Sequence, residues 1–319
     1  MSEGADERGG HDEGVADDER VPYDELSMFA ENAAEAGIAY PGPPDVRRVR
    51  VEVVPGRQLS ALVWGTGPAE LVLLHGGAQN AHTWDTVALA LGVPLVAVDL
   101  PGHGHSDDAP GSPVDVHANA RDVAEVVRRL APQRRAVVGM SLGGLTALVL
   151  ADTHPDLVPA VVLVDITPGV TPAKAAAIAA FVRGPSSFPD FDALLARTIE
   201  HNPTRSVSSL RRGILHNAVQ QPDGTWRWRH ARPGQAGHFK GSPASDHRDL
   251  WDAVERLRVP AMLVRGMRPQ SVVDDADEAE LRRRLPGVAV AHVAEAGHSV
   301  QGDAPVELAR LIEAFALRR

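Results

Sequence analysis

Short, unbroken apolar segments recur along the chain, with stretches of helical spacing between them. LVLL at 71–74 precedes a helical stretch near 82–91, and PLVAVDL at 94–100 precedes one near 116–130. AVVG at 136–139 runs into the segment 142–153, and AVVLVD at 160–165 is a further strand. PAMLVRG at 260–266 precedes a helix at 275–285, and VAVAHV at 288–293 precedes a C-terminal helix at 304–317. A strand that is apolar at every position has no face to offer water, so both its faces must be covered. The pattern predicts an α/β fold, a mostly parallel sheet with helices on both sides. VRRVRVEVV at 46–54 and QLSALVW at 58–64, separated by Pro55-Gly56, read as a hairpin that opens the sheet.

The rhythm stops between 166 and 250. That stretch is rich in Pro, Arg and His and is too long for a plain loop in a compact domain. It is expected to be an inserted, largely helical cap, with 46–165 and 251–319 forming the core. Residues 23–45 are expected to form a short helix ending at Gly37, followed by a linker broken by PGPP at 41–44. Of the net charge of −10, −6 lies in residues 1–20, which carry eight acids and two arginines, so 1–22 reads as a disordered acidic tail. The tail and the helix at 23–37 are candidates for homo-oligomer contacts. An unchanged mass in solution after their removal would dismiss that role.

The composition narrows the function classes. The remainder of the chain is near −4, which gives no footprint for a nucleic acid partner. No apolar run reaches the roughly 18 residues of a membrane helix, so no membrane partner is expected. The N-terminus lacks the apolar core of a signal peptide, and there is no cysteine, which together suit a cytoplasmic protein.

The run VVGMSLGGLTALVL at 137–150 is interrupted by one serine among three glycines. Gly139-Met140-Ser141-Leu142-Gly143 fits G-x-S-x-G and lies between a strand and a helix, the context such a match requires. A sharp strand-to-helix turn crowds its neighbours, and glycine two residues to either side relieves the crowding. Ser141 is then exposed at the strand end, before a helix N-terminus that favours negative charge. In LVLLHGG at 71–77 a strand runs into His-Gly-Gly, whose backbone N–H groups can converge with that of Leu142 to form an oxyanion hole. Gly77 is the first choice there and Ala78 the second, while His75 reads as structural. His103 and His105, in VDLPGHGHSD, lack a third ligand and make a poor metal site, and no metal is expected. In VAEAGHSV at 293–300, His298 follows the last strand on a loop that lets a general base reach Ser141.

Together LLHGGAQNAHTW, VDLPGHGHSD, GMSLGG and EAGHSVQGD resemble the α/β-hydrolase fold superfamily over roughly residues 46–319. The resemblance implies an eight-stranded-type sheet, a serine nucleophile, and a helical cap, here 166–250. One departure concerns the acid. In most relatives it follows the penultimate strand, about 28 residues before the histidine, and here that position is Gln270. Asp274 and Asp275 lie a few residues further on and suit a helix start. Asp165, at the end of AVVLVD, is the other candidate, since some members of the superfamily carry the acid there.

These parts describe acyl transfer to water through Ser141, His298 and Asp165, with no cofactor. The substrate would be a small to medium, largely apolar ester or lactone. Trp226, Trp228 and Phe181 of the cap and Met140 beside the serine are candidate pocket residues, with Phe188 and Phe191 as further possible wall. The Arg-rich LRRGILHNA at 210–218 offers either a carboxylate contact or plain helix surface. Two other readings fit the same site: a lyase or C–C bond hydrolase, and a ligand receptor with little turnover.

Overall fold

The computed structural model describes residues 21–108, 115–202, 205–230 and 247–318. The acidic tail therefore lies outside the described residues except for its last two positions. In the core, β1 (Val46–Val54), β2 (Arg57–Trp64), β3 (Leu71–Leu74), β4 (Leu95–Val98), β5 (Ala136–Met140), β6 (Val161–Val164), β10 (Ala261–Gly266) and β11 (Ala289–Val293) form one eight-stranded sheet. Its order is β1-β2-β4-β3-β5-β6-β10-β11. The β1–β2 hairpin and the β2–β4 pair are antiparallel, and every other pairing is parallel.

The two-sided burial inferred from the apolar runs is present. Every residue of β3, β4, β5 and β6 is buried. Successive side chains in a strand point to opposite faces, so Val72 and Leu74 join one core while Leu71 and Leu73 join the other. On the first face they pack beneath α3 (Val116–Leu130), α4 (Leu142–Thr153), α8 (Trp251–Arg256) and α9 (Asp275–Arg284). On the second they meet α1 (Phe29–Ala36), α2 (Asp85–Leu91) and α11 (Pro305–Ile312) through Phe29, Trp84, Val87, Leu308 and Ile312. Fully burying one such aliphatic side chain is worth roughly 1.5–3 kcal/mol. Because the central strands are parallel, β3, β5, β6, β10 and β11 all deliver their C-terminal ends to one edge, where open α/β sheets carry their sites.

The stretch between β6 and α8, termed the cap below, combines helices with short strands. Between β6 and α8 lie α5 (Ala176–Val182), α6 (Phe191–His201) and α7 (Val207–Asn217). They are joined, however, by a second sheet, β7 (Ser187–Phe188), β8 (Ala218–Gln220) and β9 (Trp226–Trp228), in the antiparallel order β7-β9-β8. The cap is thus a helix-and-sheet insert. Trp-Arg-Trp has a strand's two-residue period, and both tryptophans enter the cap core beside Phe188, Leu194 and Ile214.

The segment before β1 ties cap and core together. Gly37 ends α1 in the left-handed conformation. Arg212 of α7 donates from Nε to Asn32 Oδ1 at 2.8 Å and pairs with Glu31 and Glu35 of α1. In the core, Arg48 pairs with Glu25 at 2.7 Å and with Asp99 at 2.8 Å. His82 stacks on His216 of α7 with ring centroids 3.8 Å apart, and its Nδ1 lies 2.9 Å from Asp85. Burial alone would depress His82, but the Asp85 and Glu25 carboxylates outweigh it and lift the imidazole to about 9. A histidine whose folded value is raised contributes stability that is fully present below its unfolded value, near 6.5, and is lost as pH rises through the folded value. The urea midpoint should therefore fall between about pH 6.5 and pH 9 in the wild type. His82→Asn should flatten that part of the profile; an unaltered slope in the variant would mean that His82 does not carry it.

Candidate active site

At the C-terminal edge the chain turns sharply from β5 into α4, and Ser141 occupies the turn with φ 51° and ψ −118°. Left-handed backbone is costly for a residue with a Cβ and persists only where packing enforces it. The enforcement is visible in the glycines. A Cβ on Gly139 would stand 2.2 Å from the Gly143 carbonyl oxygen, and one on Gly143 would stand 2.3 Å from that of Leu74. The G-x-S-x-G spacing thus lets α4 press onto its own strand and onto β3. Ser141 Oγ makes no hydrogen bond to a described residue and faces the same cavity as His298.

His298 stands on the loop after β11. Its Nδ1 lies 2.9 Å from Asp165 Oδ2. Asp165 follows β6 directly, is fully buried, and is also held at positive φ, 47°. The carboxylate is well supported. Oδ1 accepts from the Gly266 N–H at 2.9 Å and from Ser271 Oγ at 2.6 Å, and Oδ2 also accepts from the Val272 N–H at 3.1 Å. The loop after β10, where most of the superfamily carries its acid, here donates hydrogen bonds to an acid on the neighbouring strand. The two alternatives are engaged elsewhere. Asp274 caps α9 in a reciprocal capping box with Asp277 and pairs with Lys174 at 2.8 Å. Asp275 is almost fully exposed and pairs with Arg265 at 2.7 Å.

The oxyanion candidates separate. The N–H groups of Gly77 and Leu142 make no hydrogen bond to a described residue, and a Cβ on Gly77 would meet nothing within 4 Å. Ala78 is a correction. It lines the cavity, but its N–H donates to His103 Nε2 at 3.0 Å and is not available to a substrate. His103 Nδ1 in turn lies 2.9 Å from the Pro101 carbonyl oxygen, which leaves Nε2 as the acceptor. His75 is fully buried between the Gly76 carbonyl, 2.7 Å from Nδ1, and the Leu100 N–H, 2.9 Å from Nε2, which suits the structural reading. A Cβ on Gly76 would lie 2.5 Å from Met140 Sδ, so a side chain there would require the Met140 thioether to shift.

A cavity of about 670 Å³ lies between the sheet edge and the cap, a volume ordinary for a small-molecule site. Met140, Phe181 and Trp228 line it. Trp226 does not. It points to the same face of β9 as Trp228, but packs its ring 5.0 Å from that of Phe191, inside the cap. The 210–218 stretch splits in the same way: Leu210, Gly213 and Ile214 face the cavity, whereas Arg212 turns to α1. Sequence reading missed Ser271 and Val272, which hold Asp165, and Lys174 and Arg205 in the cavity wall. None belongs to a periodic pattern or a recognisable motif.

The sequence model of the alpha/beta hydrolase family matches residues 71–311. The chain belongs to this family. Among characterised relatives it is 44% identical to Esterase Rv0045c of Mycobacterium tuberculosis, over 93% of this chain and 97% of that protein. It is 30% identical to 2-(acetamidomethylene)succinate hydrolase of Mesorhizobium japonicum, over 76% of this chain and 85% of that one. A crystal structure of the M. tuberculosis esterase superposes with a TM-score of 0.80 at 43% identity, covering 92% of this chain and 98% of the other.

The hydrogen bonds assign very different structural weights to the competing acids. Asp165→Ala would strand the buried N–H groups of Gly266 and Val272, and should cost about 2–4 kcal/mol. Asp274→Ala removes only a helix cap and should cost about 1 kcal/mol. Chemical denaturation of both variants checks the order, and equal losses would contradict it.

Proposed function

We propose that this hydrolase cleaves carboxylic esters, lactones included, through an acyl-enzyme on Ser141. His298 takes the proton of Ser141 Oγ as the oxygen attacks the acyl carbon, and then gives that proton to the departing alcohol. Asp165 holds the imidazole by Nδ1, so that Nε2 is the basic nitrogen, and it stabilises the imidazolium that forms. The N–H groups of Gly77 and Leu142 donate to the oxyanion, with the N-terminus of α4 behind them. Water, deprotonated by the same imidazole, then releases the acid and restores Ser141.

The observation that carries this reading is the part-buried contact between His298 Nδ1 and Asp165 Oδ2 at 2.9 Å, with His298 on the cavity that Ser141 also faces. The similarity to an esterase over nearly the whole chain favours ester cleavage over carbon–carbon bond chemistry. The apolar wall supplied by Met140, Phe181, Ile178 and Trp228 suits an acyl or alkyl group.

Steady-state hydrolysis of a panel of short-chain esters and lactones is the test. Ser141→Ala should abolish turnover of every substrate. Asp165→Asn should lower kcat by about 10⁴, as removal of a triad aspartate does in serine proteases. Wild-type turnover confined to non-ester substrates, or Asp165→Asn with full activity, would overturn the proposal.

A further inference from the structure

Most arginines withdrawn from solvent in this molecule are held by carboxylates. Arg48 pairs with Glu25 and Asp99, Arg57 with Asp122, Arg212 with Glu31 and Glu35, and Arg265 with Asp275 and Glu278. Arg205, like Arg229, has no carboxylate partner among the described residues and a shut-off Nε, and of the two only Arg205 lines the cavity. Its Nη2 donates to Ser209 Oγ at 2.6 Å. Its Nε is shut off from water and has no acceptor. No carboxylate of a described residue lies within 4.0 Å of it. The guanidinium rests against Gly302, where an added Cβ would stand 3.0 Å from its Cζ and 3.2 Å from Ser299 Oγ. The cation is therefore beside the residue that follows His298.

The nearby acids are committed elsewhere. Asp303 accepts from the Gly297 N–H at 2.9 Å, and Glu35 is taken by Ser206 and Arg212. Lys174, the other cation in the wall, is held by Asp274 at 2.8 Å and by Asp277 at 2.6 Å. Burial pulls Arg205 below the ordinary guanidinium value, the direction expected of a charge that loses water without gaining a close partner. A withdrawn, unpaired guanidinium is costly to keep, and its planar fork matches a carboxylate bidentately. Glu200 and Asp303 also line the cavity, which favours a single carboxylate set against Arg205 over a polyanion.

We infer that Arg205 is the seat of a substrate carboxylate, so that the preferred substrates are half-esters carrying a free carboxylate remote from the ester that Ser141 attacks. This rests on the ester-hydrolase reading above.

The test compares the monomethyl half-esters of succinate, glutarate and adipate with methyl esters of the same length that end in a neutral amide. Wild-type kcat/KM should favour at least one half-ester over its amide partner by tenfold or more. In Arg205→Gln that ratio should fall at least tenfold, chiefly through KM, and Arg205→Lys should restore part of it. Equal preference in the wild type, or Arg205→Gln lowering both substrates alike, would overturn the inference. If the wild type hydrolyses none of these esters, the ester reading fails, and glutarate binding by calorimetry decides the role of Arg205 separately. Binding weakened at least tenfold in Arg205→Gln supports the seat, whereas absent or unchanged binding removes it. Should circular dichroism show Arg205→Gln unfolded, Arg205→Lys takes its place in both measurements.

Discussion

The buried carboxylate of Asp165 ties together the elements that meet at the sheet edge beside His298. It receives donors from the end of β10 and the loop that follows, and from the histidine after β11, so together with its own place after β6 one side chain couples three segments separate in sequence. A carboxylate with no exposure is tolerable only when its oxygens are satisfied, and here the partners are two backbone N–H groups, a hydroxyl and an imidazole. The arrangement sets a carboxyl group beside His298 although Gln270 stands 28 residues before that histidine. The end of β10 and the loop after it supply three of the hydrogen bonds that hold this carboxyl group.

Strain gathers at the same edge. Among the described residues, Ala78, Ser141 and Asp165 are the non-glycine positions with positive φ. Each directly follows or closely succeeds a buried parallel strand, and each contributes to the cavity wall or to the hydrogen bonds behind it. Such backbone persists only where its surroundings over-determine it. Gly139 and Gly143 provide that over-determination for Ser141 through backbone packing closer than any Cβ would permit.

Much of this was legible in the residues. Unbroken apolar strands such as LVLL and AVVLVD imposed a two-sided sheet, and G-x-S-x-G between a strand and a helix located Ser141. The histidine after the last strand followed from its loop position. What stayed hidden depends on tertiary contact. Nothing in GGA separates Gly77 from Ala78 until His103 is seen to accept the Ala78 N–H. Trp226 and Trp228 look equivalent in WRW and share a face of their strand, yet of the two only Trp228 lines the cavity, while Trp226 packs on Phe191. Ser271 and Val272 reach Asp165 across more than 100 residues of sequence, which no local pattern records.

The central claim is that Ser141 is made nucleophilic by an imidazole that Asp165 orients. Covalent labelling by a fluorophosphonate, followed in time and mapped by mass spectrometry in the wild type and in Asp165→Asn, tests it most directly. A single fast adduct on Ser141, slowed by orders of magnitude in the variant, is the predicted result. An adduct on another residue, or equal labelling rates in the two proteins, would contradict it.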